Sequence, residues 1–135
     1  MLMIFPELLA FSLFAPLILR LAAGAAFIVL GAKYFGKNTL AAREELNRVL
    51  PWASSFAILI AIAEFAIGAL LIVGLSTQVV AILAGIGALK LAYFRHRFSF
   101  RTVAPFSIST CILLAAISLS LLLTGAGLFA FDLPL

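Results

Sequence analysis

The chain has little that could hold a redox centre. It has one cysteine, Cys111, and one histidine, His96, in 135 residues. A single cysteine excludes an intrachain disulfide and the Cys-x-x-Cys pair on which membrane thiol oxidases depend for electron relay. No apolar stretch contains a histidine for haem, and no cysteine cluster is present for an iron–sulfur site. We therefore expect no cofactor held covalently or through a metal.

Charge is also scarce. Charged residues make up 10% of the chain and hydrophobic residues 66%, and the mean hydropathy is +1.31. A soluble domain of this size has too little interior for so many apolar side chains, so the composition predicts that lipid is the solvent. The net charge of +4 does not indicate nucleic-acid binding, because the basic residues lie in two short loops. We expect one membrane domain, residues 1–135, whose first partner is the lipid bilayer.

Four apolar stretches predict four membrane-spanning helices and an all-α, up-and-down four-helix bundle. We expect the spans at about residues 8–32, 52–75, 78–94 and 105–123. A very short turn joins the second span to the third, which makes those two helices an antiparallel hairpin. In the first loop, Leu40, Leu46 and Leu50 predict one apolar face of a helix lying on the membrane, with docking of a soluble partner as the alternative.

The distribution of basic residues predicts the orientation. Of nine Lys and Arg residues, eight lie in or border the loops at 33–51 and 95–104, and the other connection has none. The positive-inside rule then places both loops in the cytoplasm and both termini outside, in a multi-pass protein. The aromatic residues Tyr34, Trp52 and Tyr93 fall at the same boundary, where interfacial aromatic side chains are expected.

Two opposite charges interrupt the apolar stretches, Arg20 in the first span and Glu64 in the second. Arg20 lies 13 residues before Lys33, and Glu64 lies 13 residues after Pro51. At about 1.5 Å per residue, both would sit roughly 20 Å from the cytoplasmic edge. Equal depth on antiparallel helices predicts a buried Arg20–Glu64 pair that holds the bundle in register. A catalytic or transport role for the pair is the alternative.

Several short motifs give the chain a family likeness. They comprise Arg20 with Gly24, Gly31 with Lys33, Glu64 with Gly68, Gly74 with Thr77, and Gly125 with Gly127 and Asp132. With these motifs the sequence resembles the DoxX-like family of small bacterial and archaeal membrane proteins. It departs from the family at Leu30, where relatives often have a histidine, and at Ala126, where a proline is common. We expect Asp132 at or beyond the outer surface.

The resemblance implies a function that the residues alone do not. It implies a cytoplasmic-membrane protein, bacterial or archaeal, that serves as a subunit of a redox assembly handling quinone or sulfur compounds. Quinone is then the candidate cofactor, and other subunits of the assembly are candidate partners. Two alternatives stay open: a small proton-coupled transporter with Glu64 as its titrating group, and a membrane scaffold or assembly factor without catalysis. The sequence identifies no catalytic residue.

Overall fold

The computed structural model describes residues 14–34, 38–49 and 51–125, and the regular structure in these ranges is entirely helical. The five α-helices are α1 (Phe14–Lys33), α2 (Asn38–Asn47), α3 (Ala57–Val73), α4 (Thr77–Phe98) and α5 (Ile108–Thr124). A short 3-10 helix, Ala53–Phe56, leads into α3. The all-α prediction is confirmed for this part of the chain.

The four long helices pack as two close pairs. Helix α1 lies against α3 and α4 lies against α5, while less extensive contacts of α3 with α4 and of α1 with α5 join the pairs. Large apolar side chains fill the interior, among them Phe27, Leu30, Leu71, Leu91 and Leu121. The outward faces are apolar too, because each long helix exposes large hydrophobic side chains, including Ile18, Leu59, Ile86 and Leu113. An apolar surface on every long helix is stable in lipid rather than in water.

Two described helices are long and apolar enough to cross a bilayer. They are α1, with 20 residues and a mean hydropathy of 2.0, and α4, with 22 residues and a mean hydropathy of 1.6. Helices α3 and α5 are apolar but have 17 residues each. That length is about 25 Å, somewhat less than the ~30 Å hydrocarbon core. The number of membrane crossings therefore stays a prediction.

Helix boundaries differ from the predicted spans at the basic end of the molecule. Helix α4 continues to Phe98 instead of ending near residue 94, and its last turn contains Arg95, His96 and Arg97. Positive charge stabilises a helix C-terminus, so these residues extend the helix rather than end it. Helix α5 begins at Ile108, because the Ser107 side chain accepts a hydrogen bond from the Thr110 N–H at 3.2 Å and caps the helix there.

The predicted hairpin turn is present between α3 and α4. Gly74 ends α3 in the left-handed conformation, with φ of 76°, and its N–H donates to the Leu70 carbonyl at 2.8 Å. Only residues 74–76 separate the two helices. At the other end, α3 starts at Ala57, later than the predicted span at residue 52. The residues before it form a turn and the 3-10 helix.

Helix α2 packs against the rest of the fold. Ala42 and Leu46 are buried, whereas Leu40 is exposed, so the prediction that Leu40 and Leu46 share one face is wrong. Leu50, the third residue of that predicted face, lies outside the described residues. The Glu45 carboxylate accepts the backbone N–H groups of Arg101 (3.1 Å), Thr102 (3.1 Å) and Val103 (2.9 Å). Glu45 thus ties the first basic connection to the second, and both lie at one end of the helices.

Candidate functional site

The interior contains one described salt bridge, between Glu64 on α3 and Lys90 on α4. Lys90 Nζ lies 2.7 Å from Glu64 Oε1. The Glu64 side chain is 3% exposed and that of Lys90 is 32% exposed, so the carboxylate is enclosed while the ammonium group reaches toward the surface. A carboxylate in an apolar interior needs such a partner, because an uncompensated charge there is poorly solvated.

The sequence of α3 explains why Glu64 faces inward. Ala57, Ala61, Glu64, Gly68 and Leu71 are the buried residues of this helix, and they recur at the spacing of one helical face. This is the face that the sequence predicts for contact with a neighbouring helix. Since its other members are small or apolar, the carboxylate is the one ionisable group that α3 brings into the core.

Half of the Glu64 carboxylate has no described hydrogen-bond partner. Its second oxygen, Oε2, is buried and accepts no hydrogen bond from the described residues. Buried polar atoms are usually satisfied, and exceptions are often associated with function. The site therefore combines a fixed cation with an acceptor atom able to take a hydrogen bond or a proton.

Arg20 is buried, as predicted, but at a different level from Glu64. A Cβ on Gly68 would lie 2.6 Å from the Gly24 carbonyl, and a Cβ on Gly31 would lie 2.9 Å from the Ala61 carbonyl. These contacts place Glu64 at about the same depth as Gly31. Arg20 is then about ten residues, or roughly 15 Å, further along α1. The contacts of the described residues give Glu64 the partner Lys90 and do not support the Arg20–Glu64 pair.

The predicted depth of Glu64 is wrong. The sequence places it 13 helical residues, or roughly 20 Å, from the basic end. In the structure, the contacts of Gly31 with Ala61 and Phe65 place Glu64 close to the end of α1 at Lys33. Glu64 therefore lies nearer to the basic end than predicted.

Tyr34 lies at that basic end and is buried, at 2% exposure. Its hydroxyl donates a hydrogen bond of 2.9 Å to the Val103 carbonyl, so it joins the end of α1 to the connection before α5. Burial, followed by the negative charges of Glu64 and Glu45, raises the pKa of Tyr34 above its usual range and keeps the hydroxyl protonated. At this end Tyr34 is enclosed by protein, whereas Trp52 and Tyr93 are exposed.

Three of the family-motif glycines meet where α1 crosses α3. Gly24, Gly31 and Gly68 are buried there, and a Cβ on any of them would come within 3.0 Å of backbone atoms of the other helix. Only glycine permits so close an approach of two helix backbones. These motif positions therefore serve the packing that sets the level of Glu64.

The remaining motif positions are spread over the molecule. Lys33 ends α1 with Nζ 5.7 Å from the centre of the Phe106 ring, Gly74 ends α3, and Thr77 is buried at the start of α4. Gly125 follows α5 with φ of 75°. Gly127 and Asp132 lie outside the described residues, so the expectation for Asp132 stays a prediction.

The hydroxyl and thiol groups of α5 do not form a second site in the described structure. Ser118 donates a hydrogen bond of 2.8 Å to the Leu114 carbonyl of its own helix, and Cys111 is a free, buried thiol. Ser107 is exposed at the helix N-terminus. Within residues 14–34, 38–49 and 51–125 there is also no group of three or more His, Cys, Asp or Glu side chains that could hold a metal ion.

Two residues of the site were not identified from the sequence. Lys90 lies near the end of the predicted third span, residues 78–94, but α4 continues for 8 residues beyond it. The sequence feature that could have identified Lys90 is a lysine in the second half of a long apolar helix. Glu45 gave no signal, because it stands among other charged residues on a polar helix and its partners are backbone groups.

A helical chain with an apolar exterior and a charged pair in its interior defines a helical membrane protein. The DoxX family model matches residues 15–97, which cover α1 to α4, and the chain belongs to the DoxX family. The C-terminal glycine motif quoted for the resemblance lies beyond the matched segment. No curated protein and no solved structure matches the chain at significant similarity.

Proposed function

We propose that the protein is a four-span subunit of a membrane redox assembly and that the Glu64–Lys90 pair contacts a quinone or a sulfur compound. The observation that carries this proposal is the enclosed carboxylate with one oxygen on Lys90 and the other unbonded within the described structure. Ionisable residues inside a membrane domain are costly, and they mark functional sites more often than other positions do. The redox part of the proposal comes from what family membership implies.

The chemistry of the pair suits a quinone headgroup. The Lys90 ammonium group can donate a hydrogen bond to a quinone carbonyl, and Glu64 Oε2 can accept one from a quinol hydroxyl. Lys90 is partly exposed, so a ligand from the bilayer could reach it without opening the whole interior. On this proposal the electrons come from another subunit, and this chain binds and orients the ligand.

Membrane embedding with the basic end in the cytoplasm is part of the proposal. Glu45 binds residues 101–103 and Tyr34 binds Val103, which supports a common end for the two basic connections. The apolar 17-residue helices α3 and α5 are at the short limit of what crosses a bilayer. Close packing of each against a longer helix favours their crossing together. Both termini would then face outside.

The test is to purify the full chain from its native membrane in a mild detergent and to extract bound quinone for mass spectrometry. We expect quinone and an oxidoreductase subunit to copurify with the wild-type chain. Glu64→Gln and Lys90→Gln should each lose the quinone, whereas Glu44→Gln and Arg48→Gln, at exposed positions, should keep it. A wild-type preparation with neither quinone nor an oxidoreductase subunit would contradict the proposal.

Glu64 Oε2, which accepts no hydrogen bond from the described residues, also favours a second candidate, a proton-coupled transporter. Substrate-dependent proton flux into liposomes, lost in Glu64→Gln and unchanged in Glu44→Gln, would support transport over quinone binding.

A further inference from the structure

An apolar groove runs between α4 and α5 on the outside of the molecule. It has a volume of about 480 Å³, and its lining includes Ile86 and Leu89 of α4 and Ile112, Ala116, Ser118 and Leu119 of α5. The one hydroxyl of this lining, on Ser118, is bonded to the Leu114 carbonyl. The groove therefore offers a ligand only apolar contacts, as a hydrocarbon chain requires.

A straight row of exposed side chains leads from the groove to the basic end of α4. Ile86 and Leu89 line the groove, and Tyr93 and His96 continue the row at intervals of four and three residues, so all four share one helical face. Tyr93 lies about 6 Å and His96 about 10 Å beyond Leu89 along the helix axis. Arg97, next to His96, is also exposed.

This arrangement pairs an apolar groove with a hydrogen-bond donor, Tyr93, about 6 Å beyond its end and a cation, Arg97, about 12 Å beyond it. A phospholipid is complementary to this arrangement, because its apolar acyl chain is linked through glycerol to a phosphate, which is anionic and accepts hydrogen bonds. A neutral ligand would gain nothing from the charge of Arg97, which lies 5.8 Å from the centre of the Phe98 ring. An apolar helix of a second copy would have to cover that charge. Basic residues at the membrane surface attract anionic headgroups.

We propose that the groove between α4 and α5 binds one acyl chain of an anionic phospholipid whose phosphate contacts Tyr93, His96 and Arg97. The proposal rests on the membrane embedding proposed above, and it is independent of the Glu64–Lys90 site. The lipid binds from the bilayer leaflet at the basic end.

The experiment uses the full chain purified in mild detergent and mixed with equal amounts of phosphatidylglycerol and phosphatidylcholine with identical acyl chains. Native mass spectrometry then counts the lipids retained. We expect the wild-type chain to retain phosphatidylglycerol in preference and to lose that preference as salt is raised. Arg97→Gln should reduce the preference about fivefold, the contribution of one basic residue at an anionic surface. Arg48→Gln, an exposed arginine of the first basic connection, should not.

A second pair of variants tests the groove itself. Ala116 is an exposed residue of the lining, so Ala116→Phe should fill the groove and remove retention of both lipids, and Ala116→Leu gives a milder filling. Leu113→Phe adds an aromatic ring at an exposed position of α5 outside the lining and should change nothing.

Three results would overturn the proposal. They are equal retention of the two lipids by the wild-type chain, retention that survives both fillings of the groove in folded protein, and a dimer that Ala116→Phe dissociates. Failure of the membrane embedding would show separately, as a chain that does not insert into liposomes.

Discussion

At the scale of single residues, the charge of Glu64 is the feature that most constrains the interior. Its only described ion-pair partner is Lys90, and the two side chains differ tenfold in exposure, 3% against 32%. Glu64, which is enclosed, therefore needs its partner more than Lys90 does. This asymmetry makes the consequences of removing each charge different.

We predict that Lys90→Gln destabilises the fold more than Glu64→Gln. Loss of Lys90 leaves the carboxylate enclosed without a cation, at a cost of about 3 kcal/mol. Loss of Glu64 leaves an ammonium group on a flexible stem that can extend toward the basic end of the helices, so a cost of about 1 kcal/mol is expected. The double variant should lose less than the sum of the two. Thermal unfolding of the four proteins in one detergent measures the coupling, and strictly additive losses would contradict the ion pair.

Arg20 can be compared with Lys90 as a possible partner of Glu64. Because the glycine contacts set Arg20 roughly 15 Å from Glu64 along the helix axes, Arg20→Gln and Glu64→Gln should add within about 0.5 kcal/mol. A coupling clearly above that value would restore the pair expected from the sequence. The sequence correctly predicted that both charges are buried. Their relative depth depends on how α3 lies against α1, which a residue count from Pro51 cannot give.

At the scale of helices, the contact of α1 with α3 is close because glycines at the crossing have no side chain. Gly68 has no side chain to separate its helix from the Gly24 carbonyl, and the backbones pack accordingly. Gly85 on α4 differs, because a Cβ there would meet Ser118 Cβ at an ordinary 3.6 Å. Substitution of Gly68 and of Gly85 therefore compares the α1–α3 contact with the α4–α5 contact.

Gly68→Ala should lower the thermal stability, because its methyl group would lie 2.6 Å from the Gly24 carbonyl and force the helices apart. Such overpacking costs about 1–3 kcal/mol. Gly85→Ala should be neutral or stabilising, since alanine favours a helix by up to about 1 kcal/mol over glycine. Thermal unfolding in the same detergent compares the two variants. Equal effects would mean that the α1–α3 contact is looser than the structure shows.

Helix α2 acts through one side chain on the connection before α5. Glu45→Ala removes the acceptor of three successive backbone N–H groups, those of residues 101–103. Hydrogen bonds to a charged group contribute about 1.5–3 kcal/mol, so the exchange of these amides should accelerate tenfold or more. Hydrogen–deuterium exchange resolved by mass spectrometry measures it. Glu44→Ala, its exposed neighbour on the same helix, should leave the exchange unchanged.

The sequence predicts helices better than it predicts their ends and connections. Apolar composition was sufficient to predict α1, α3, α4 and α5. Gly74 was sufficient to predict the turn after α3. The end of α4 was missed because Arg95 to Arg97 look like a loop in sequence but stabilise a helix C-terminus. The role of Glu45 was missed because backbone N–H groups carry no sequence signature.

At the scale of the whole molecule, polar contacts concentrate at one end and apolar surface covers the rest. Glu45, Tyr34 and Arg95 each bind backbone of residues 100–103, so the two basic connections form one cap. The opposite end of the α3–α4 hairpin is the turn at residues 74–76, which has no basic residue. This asymmetry is the physical basis of the predicted orientation.

The orientation is testable with the chain's single cysteine removed. In a Cys111→Ala background, we predict that Ser76→Cys is labelled by a membrane-impermeant maleimide added to intact cells, because the hairpin turn is exposed and would face outside. Ser99→Cys and Glu44→Cys, both at exposed positions of the basic cap, should react only after the membrane is permeabilised. The wild-type chain is the control, since the buried Cys111 should react in neither case. Labelling of Ser99→Cys but not Ser76→Cys in intact cells would reverse the orientation. Labelling of all three would mean that α3 and α4 do not cross the bilayer as a hairpin.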